Sequence, residues 1–101
     1  MIRHIVEFTL SSDDEAQRAR DADGIREHLT ALLGQIPGLR SITVARDLGL
    51  VAGHWDVVLI SDHDDNAALE GYQAHPAHKE ASAWISTVVT GRAIVDFELD
   101  G

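Results

Sequence analysis

Ile2, His4, Val6, Phe8 and Leu10 alternate with Arg3, Ile5, Glu7 and Thr9. A period of two predicts a strand. Ser12-Asp13-Asp14-Glu15 matches a capping box with Ser12 as N-cap, so a helix is expected to run to about Gly34. Ile25, Leu29, Leu32 and Leu33 form its apolar stripe, and Gly24 weakens it. Pro37-Gly38 ends the segment. Residues 39–45 read as a second strand, residues 47–53 as a glycine-containing loop, and residues 55–61 as a third strand. Asp64-Asp65-Asn66 offers a helix start, followed by Ala67, Ala68, Leu69 and Tyr72 at helical spacing. Pro76 can open another helix, since the first turn needs no N–H there. Ala81, Trp84, Ile85 and Val88 continue it, Gly91 is a plausible C-cap, and residues 93–99 close the chain as a fourth strand.

The resulting order, β-α-β-β-α-β, is a split βαβ or ferredoxin-like arrangement. The expected fold is α+β: an antiparallel sheet with helices on one face, since right-handed crossovers place them together. The third strand contains Val57-Val58-Leu59-Ile60. It is apolar on both faces, whereas a sheet with one wet face should alternate. A second copy of the chain is the expected cover, giving a homodimeric α+β barrel joined through the sheet face.

Composition narrows the function classes. The 101 residues suffice for one small domain, expected over residues 1–101. With 17 Asp+Glu against 8 Lys+Arg, the net charge is −9. That argues against nucleic acid and anionic membrane partners, which select basic patches. The chain has no cysteine, which removes disulfides, thiol catalysis and thiolate metal sites. Together with an N-terminus that enters a strand directly, this gives a cytoplasmic protein as the expectation.

The candidate chemistry lies in Tyr72-Gln73-Ala74-His75-Pro76-Ala77-His78. His78 falls inside the turn opened by Pro76, and Tyr72 just before the break. A phenol and an imidazole on one chain reversal can share a cavity and move protons near neutral pH. His4 points to the helix side of the first strand. The competing readings are a satisfied core histidine at His4, a tethered core aromatic at Tyr72 and a surface residue at His78. His75 is read as shaping the turn. His28, His54 and His63 are read as solvated, and Asp62, Asp64 and Asp65 as loop and cap residues. His4, His75 and His78 could hold zinc or iron, but a capping His75 points away from His78 and no carboxylate ligand joins them. No metal or other cofactor is expected. The chain also lacks a nucleophile elbow, a phosphate loop and a dinucleotide fingerprint.

Several segments together resemble the stress-responsive A/B barrel (Dabb) domain family. They are Ile2-Arg3-His4-Ile5-Val6, Ile36-Pro37-Gly38, Asp56-Val57-Val58-Leu59, the stretch from Ala68 to His78, and Val95-Asp96-Phe97. The resemblance runs through essentially the whole chain and implies a ferredoxin-like dimer. It does not imply one activity, because the family includes heat-stable plant stress proteins and a plant polyketide cyclase that forms olivetolic acid. By that resemblance Tyr72 and His78 match a catalytic pair for cofactor-free aldol condensation, and His4 a pocket histidine. Asp56 and a position near Leu29 depart from the cyclase's pocket histidine and tyrosine, so its polyketide-binding walls are not reproduced. The expectation is a small carbonyl compound as ligand. His78 would be general base, Tyr72 hydrogen-bond donor and His4 an orienting residue. The alternatives are a binding module without turnover and a heat-stable structural dimer.

Overall fold

Residues 1–99 are described by a computed structural model. Strand β1 (Ile2–Leu10) leads to helix α1 (Glu15–Thr30), then strands β2 (Leu39–Arg46) and β3 (Val57–His63). Two short helices, α2 (Asn66–Ala74) and α3 (Pro76–Ser86), precede strand β4 (Val89–Glu98). The four strands form one antiparallel sheet in the order β2-β3-β1-β4. This is the ferredoxin-like arrangement, with the helices on one face. Among the described residues no helix is long and apolar enough to cross a membrane.

The register assigns each side chain to a face. Val6 lies opposite Leu59 and Ile94, and Ile5 opposite Ile60 and Val95. His4, Val6, Phe8 and Leu10 therefore face the helices with Val57, Leu59, Ser61 and His63. They pack on Ile25, Leu29, Leu69 and Ile85 in one buried core. The opposite face carries Ile5, Val58, Ile60, Val95 and Phe97. Val95 and Phe97 are 62% and 42% exposed.

Several element boundaries differ from the sequence reading. The N-cap of α1 is Asp14, whose carboxylate accepts from the Gln17 amide, while Ser12 accepts from the Asp14 amide one turn earlier. Both residues have capping chemistry, and the carboxylate nearer the apolar stripe wins. The helix stops at Thr30, and turns cover the stretch read as its last turn. Strand β3 starts two residues later than the sequence predicts, and Asp56 just before it ties its neighbours through both backbone and side chain: its amide donates to the Phe8 carbonyl at 2.9 Å and its carbonyl accepts from the Asp47 amide at 2.8 Å. Its carboxylate accepts from the Leu10 amide at 2.8 Å and the Arg18 guanidinium at 2.5 Å. Gly91 is not a C-cap: it lies inside β4 opposite Thr9, and helix α3 is capped at Thr87. Asp62 is not a loop residue but a strand residue, gripped by Arg3 through two bonds of 2.8 and 2.9 Å.

Gly24 has a steric reason. A Cβ there would lie 2.2 Å from the far edge of the Trp84 ring. That ring is pinned on its other side, stacked on His28 at 4.2 Å between centroids. Neither aromatic is therefore solvated as a free surface group, and α3 packs against the bare backbone of α1. Gly24→Ala should destabilise the fold by about 1–3 kcal/mol through overpacking, exceeding the ~1 kcal/mol gain in helix propensity. A lowered urea midpoint is the expected result, and a raised one would show that Trp84 swings aside freely.

Candidate functional site

Four elements, β1, β3, α2 and α3, bring four rings together. His4 projects from β1 toward the helices, directly across from Asp96 on β4. Its Nδ1 contacts the Asp96 carboxylate. A carboxylate only accepts, so in the neutral ring Nδ1 carries the proton and Nε2 keeps its lone pair. On β3, Ser61 and His63 are both fully buried, with Ser61 Oγ and His63 Nε2 2.8 Å apart.

The helical side is set by the break between α2 and α3. The His75 amide closes α2 on the Tyr72 carbonyl at 3.2 Å. The His75 ring caps α3, with Nδ1 accepting from the Ala77 amide at 3.0 Å. Pro76 occupies the first turn, where its missing N–H costs nothing. Tyr72 then points inward and is fully buried. Its ring lies 4.4 Å from His78 and 4.7 Å from His63, and 6.2 Å from His4. His75 is occupied as a cap, so it does not join His4 and His78 as a ligand.

Three buried side-chain polar atoms lack a hydrogen-bond partner among the described residues: His63 Nδ1, Tyr72 Oη and His78 Nδ1. All three belong to this one cluster. Leaving such a group unpaired costs about 1–3 kcal/mol, so their concentration in one place marks a region where a ligand or water would be stabilised.

Burial also governs their titration. It pushes the Tyr72 phenol up to about 12, which keeps it protonated. Burial lowers His78 below its ordinary 6.5; the nearby His4 and Arg92 lower it further, against an opposing pull from the Gln73 backbone. His63 is lowered first by burial and then by His4 and His78, while Asp62 and Asp96 oppose. Both imidazoles are therefore kept neutral at neutral pH. The unfolded chain binds protons more readily at these two sites, so their contribution to stability is full above about pH 6.5 and is lost as pH falls through the lower folded values. Replacing His63 with Phe should flatten the decline in stability between pH 7 and 5. An unchanged slope in urea titrations would show that His63 is not part of it.

A cavity of about 90 Å³ opens beside the cluster, between β1, β4 and α3. Its polar wall consists of His4, Gln73, His78, Ser82 and Arg92, and its apolar wall includes Val6, Phe8, Leu29 and Ile94. Of the residues singled out from sequence, His4 and His78 reach the wall. Tyr72 lies one layer deeper, against His78. Asp56 is elsewhere, tied to Arg18. Larger depressions exist, such as the ~500 Å³ groove between α1 and α3, but it is lined by Glu27, His28 and Glu80, and none of its lining residues carries an orphaned atom.

The sequence reading missed His63, Asp96 and Arg92. The sequence pattern ends β3 at Ser61 and so leaves His63 solvated. The alternation Val57, Leu59, Ser61, His63 carries the inward face two residues further. Arg92 was lost because β4 was started at residue 93.

Related structures carry the same fold. A dimeric protein of ferredoxin-like fold from Bacteroides fragilis is 27% identical, with a TM-score of 0.87 over 97% of this chain and 95% of that one. A dimeric ferredoxin-like protein from Thermobifida fusca is 32% identical, with a TM-score of 0.82 over 97% and 90%. The hydroxynitrile lyase of Passiflora edulis shares the fold at 16% identity, with a TM-score of 0.80 over 98% and 93%. No curated protein matches the sequence. The model of the stress responsive A/B barrel domain matches residues 2–99. With sheet order, helix placement and that match in agreement, the chain belongs to the stress responsive A/B barrel domain (Dabb) family.

Proposed function

We propose that the protein is a homodimer whose protomers each hold a cofactor-free acid–base site for a small carbonyl compound. One observation carries the reading: His63 Nδ1, Tyr72 Oη and His78 Nδ1 are buried without partners in one cluster beside a cavity. The chemistry is enolisation, with aldol closure as its extension. His78 takes a proton from the carbon between two carbonyls. The C–H pair becomes a C=C bond, and the carbonyl π pair moves onto oxygen. Tyr72, held protonated behind His78, donates a hydrogen bond to that oxygen once the ligand reaches past the cavity wall, and His4, fixed by Asp96, orients the substrate. For aldol closure, the enolate carbon forms its new bond to a second carbonyl carbon, whose oxygen then takes the proton from His78.

The dimeric state is supported by the apolar outer face and by the dimeric relatives from Bacteroides fragilis and Thermobifida fusca. The Passiflora enzyme is a precedent for catalysis on this fold only. A cavity of about 90 Å³ compares with roughly 300–1,000 Å³ for typical ligand pockets, which restricts substrates to short compounds. That same small volume favours the second reading, a binding module without turnover. The two separate in one assay: β-dicarbonyl and short polyketide-like compounds are incubated with the protein in D₂O, and loss of their α-proton signals is followed by NMR. Exchange above the buffer rate supports catalysis. Ligand binding with no exchange transfers the site to the second reading.

A further inference from the structure

We infer that Arg92 is a carboxylate anchor, and that the ligand class of the cavity is the short oxo acid rather than the neutral dicarbonyl. The inference deepens the functional reading above and rests on it for the carbonyl half of the ligand.

Arg92 sits on β4 opposite Phe8, on the helix face, at the exposed mouth of the cavity. Its guanidinium is aimed by three bonds to α3. NH1 donates to Ser82 Oγ at 3.0 Å, and NH2 donates to the Ser82 carbonyl at 3.1 Å and to Ser86 Oγ at 2.7 Å. The charge also lies 5.6 Å over the Phe8 ring. These bonds use three of the five N–H donors a guanidinium carries, so two remain for a ligand.

The charge pattern points the same way. In a chain of net charge −9, Arg3, Arg18, Arg26, Arg40 and Arg46 all pair with carboxylates, while Arg20, exposed on α1, bonds to Gln17 away from the cavity. Arg92 bonds only to hydroxyl and carbonyl oxygens among the described residues. The cavity wall holds His4, His78 and Arg92 and no carboxylate. A guanidinium held in one orientation without a counter-ion suits a carboxylate, which a remaining N–H on Nε or NH1 can hold by a charge-assisted bond. With the carboxylate at the mouth, the rest of a short oxo acid extends inward to His4 and His78. The cavity volume admits little more.

The test is equilibrium binding, which does not depend on turnover. Acetoacetate, its neutral counterpart acetylacetone, acetate and inorganic phosphate are titrated into the wild-type protein by calorimetry. Acetoacetate should bind at least roughly ten-fold more tightly than each of the others, the size of one charge-assisted hydrogen bond. Arg92→Met should remove that advantage, leaving acetoacetate bound no more tightly than acetylacetone, and Arg92→Lys should restore part of it. Equal affinity for acetoacetate and acetylacetone, or tighter binding of acetate or phosphate, overturns the inference. The wild-type comparison stands even if a variant misfolds. Arg92-dependent acetoacetate binding without α-proton exchange would sink catalysis alone. Exchange of acetylacetone with no preference for the acid would sink the anchor alone.

Discussion

Replacing His78 by alanine is expected to lower α-proton exchange of a bound β-dicarbonyl compound by about 10²–10⁴-fold, the usual contribution of a general base. The effect follows from position. His78 is the imidazole that both lines the cavity and touches Tyr72, with Nδ1 unpartnered. Only its neutral form accepts a proton, and burial lowers its pKa from the ordinary 6.5. Exchange should therefore be level through neutral pH and fall only as the pH drops through that lowered value. His78→Ala should remove this acid limb together with the rate. Tyr72→Phe removes the hydrogen-bond donor and leaves the base, so its rate should fall while the acid limb stays. A His78→Ala protein that exchanges as fast as wild type would take His78 out of the reaction.

The second large effect concerns assembly. Val95→Asp is expected to convert a dimer into monomers at micromolar concentration. Val95 is 62% exposed in the isolated protomer and lies among Ile5, Ile60 and Phe97 on the face without helices. Burying a side chain of this size contributes about 1.5–3 kcal/mol, and two-fold symmetry counts each substitution twice. Dissociation should therefore weaken affinity by roughly 10²–10⁴-fold. Two added carboxylates in a chain of net charge −9 push in the same direction. Sedimentation velocity reads the result directly. A Val95→Asp protein that remains dimeric would place the interface elsewhere.

The fold was legible because its signals are periodic. Alternation in β1 marks the inward set Val6, Phe8 and Leu10, and the doubly apolar β3 marks a second apolar face. Helix ends were less legible, since Ser12 and Asp14 carry equivalent capping chemistry and only the packed structure selects between them. Strand β4 was read short because Gly91 has two uses. A glycine can end a helix, or it can leave room in a strand, and here a Cβ at position 91 would come 3.1 Å from Thr9 Oγ1.

The site was half legible for a similar reason. Tyr72, His75, Pro76 and His78 are neighbours in sequence, so local rules brought them forward. His63, Asp96 and Arg92 join them only through strand register. His63 comes from β3, Asp96 from the residue facing His4, and Arg92 from the residue facing Phe8. Along β4 the pattern also misleads: the more apolar set, Val95 and Phe97, points away from the helices, and the cavity side receives Arg92, Ile94 and Asp96.

The central claim is that His78 is a buried, neutral imidazole with a ring nitrogen available to a ligand. Long-range ¹H–¹⁵N NMR of the histidine rings, recorded across pH with and without acetoacetate, tests it most directly. His78 should stay neutral to a pH below 6.5, and its Nδ1 signal should move when acetoacetate is added. An imidazole that titrates at or above 6.5 and shows no response to the compound would contradict it.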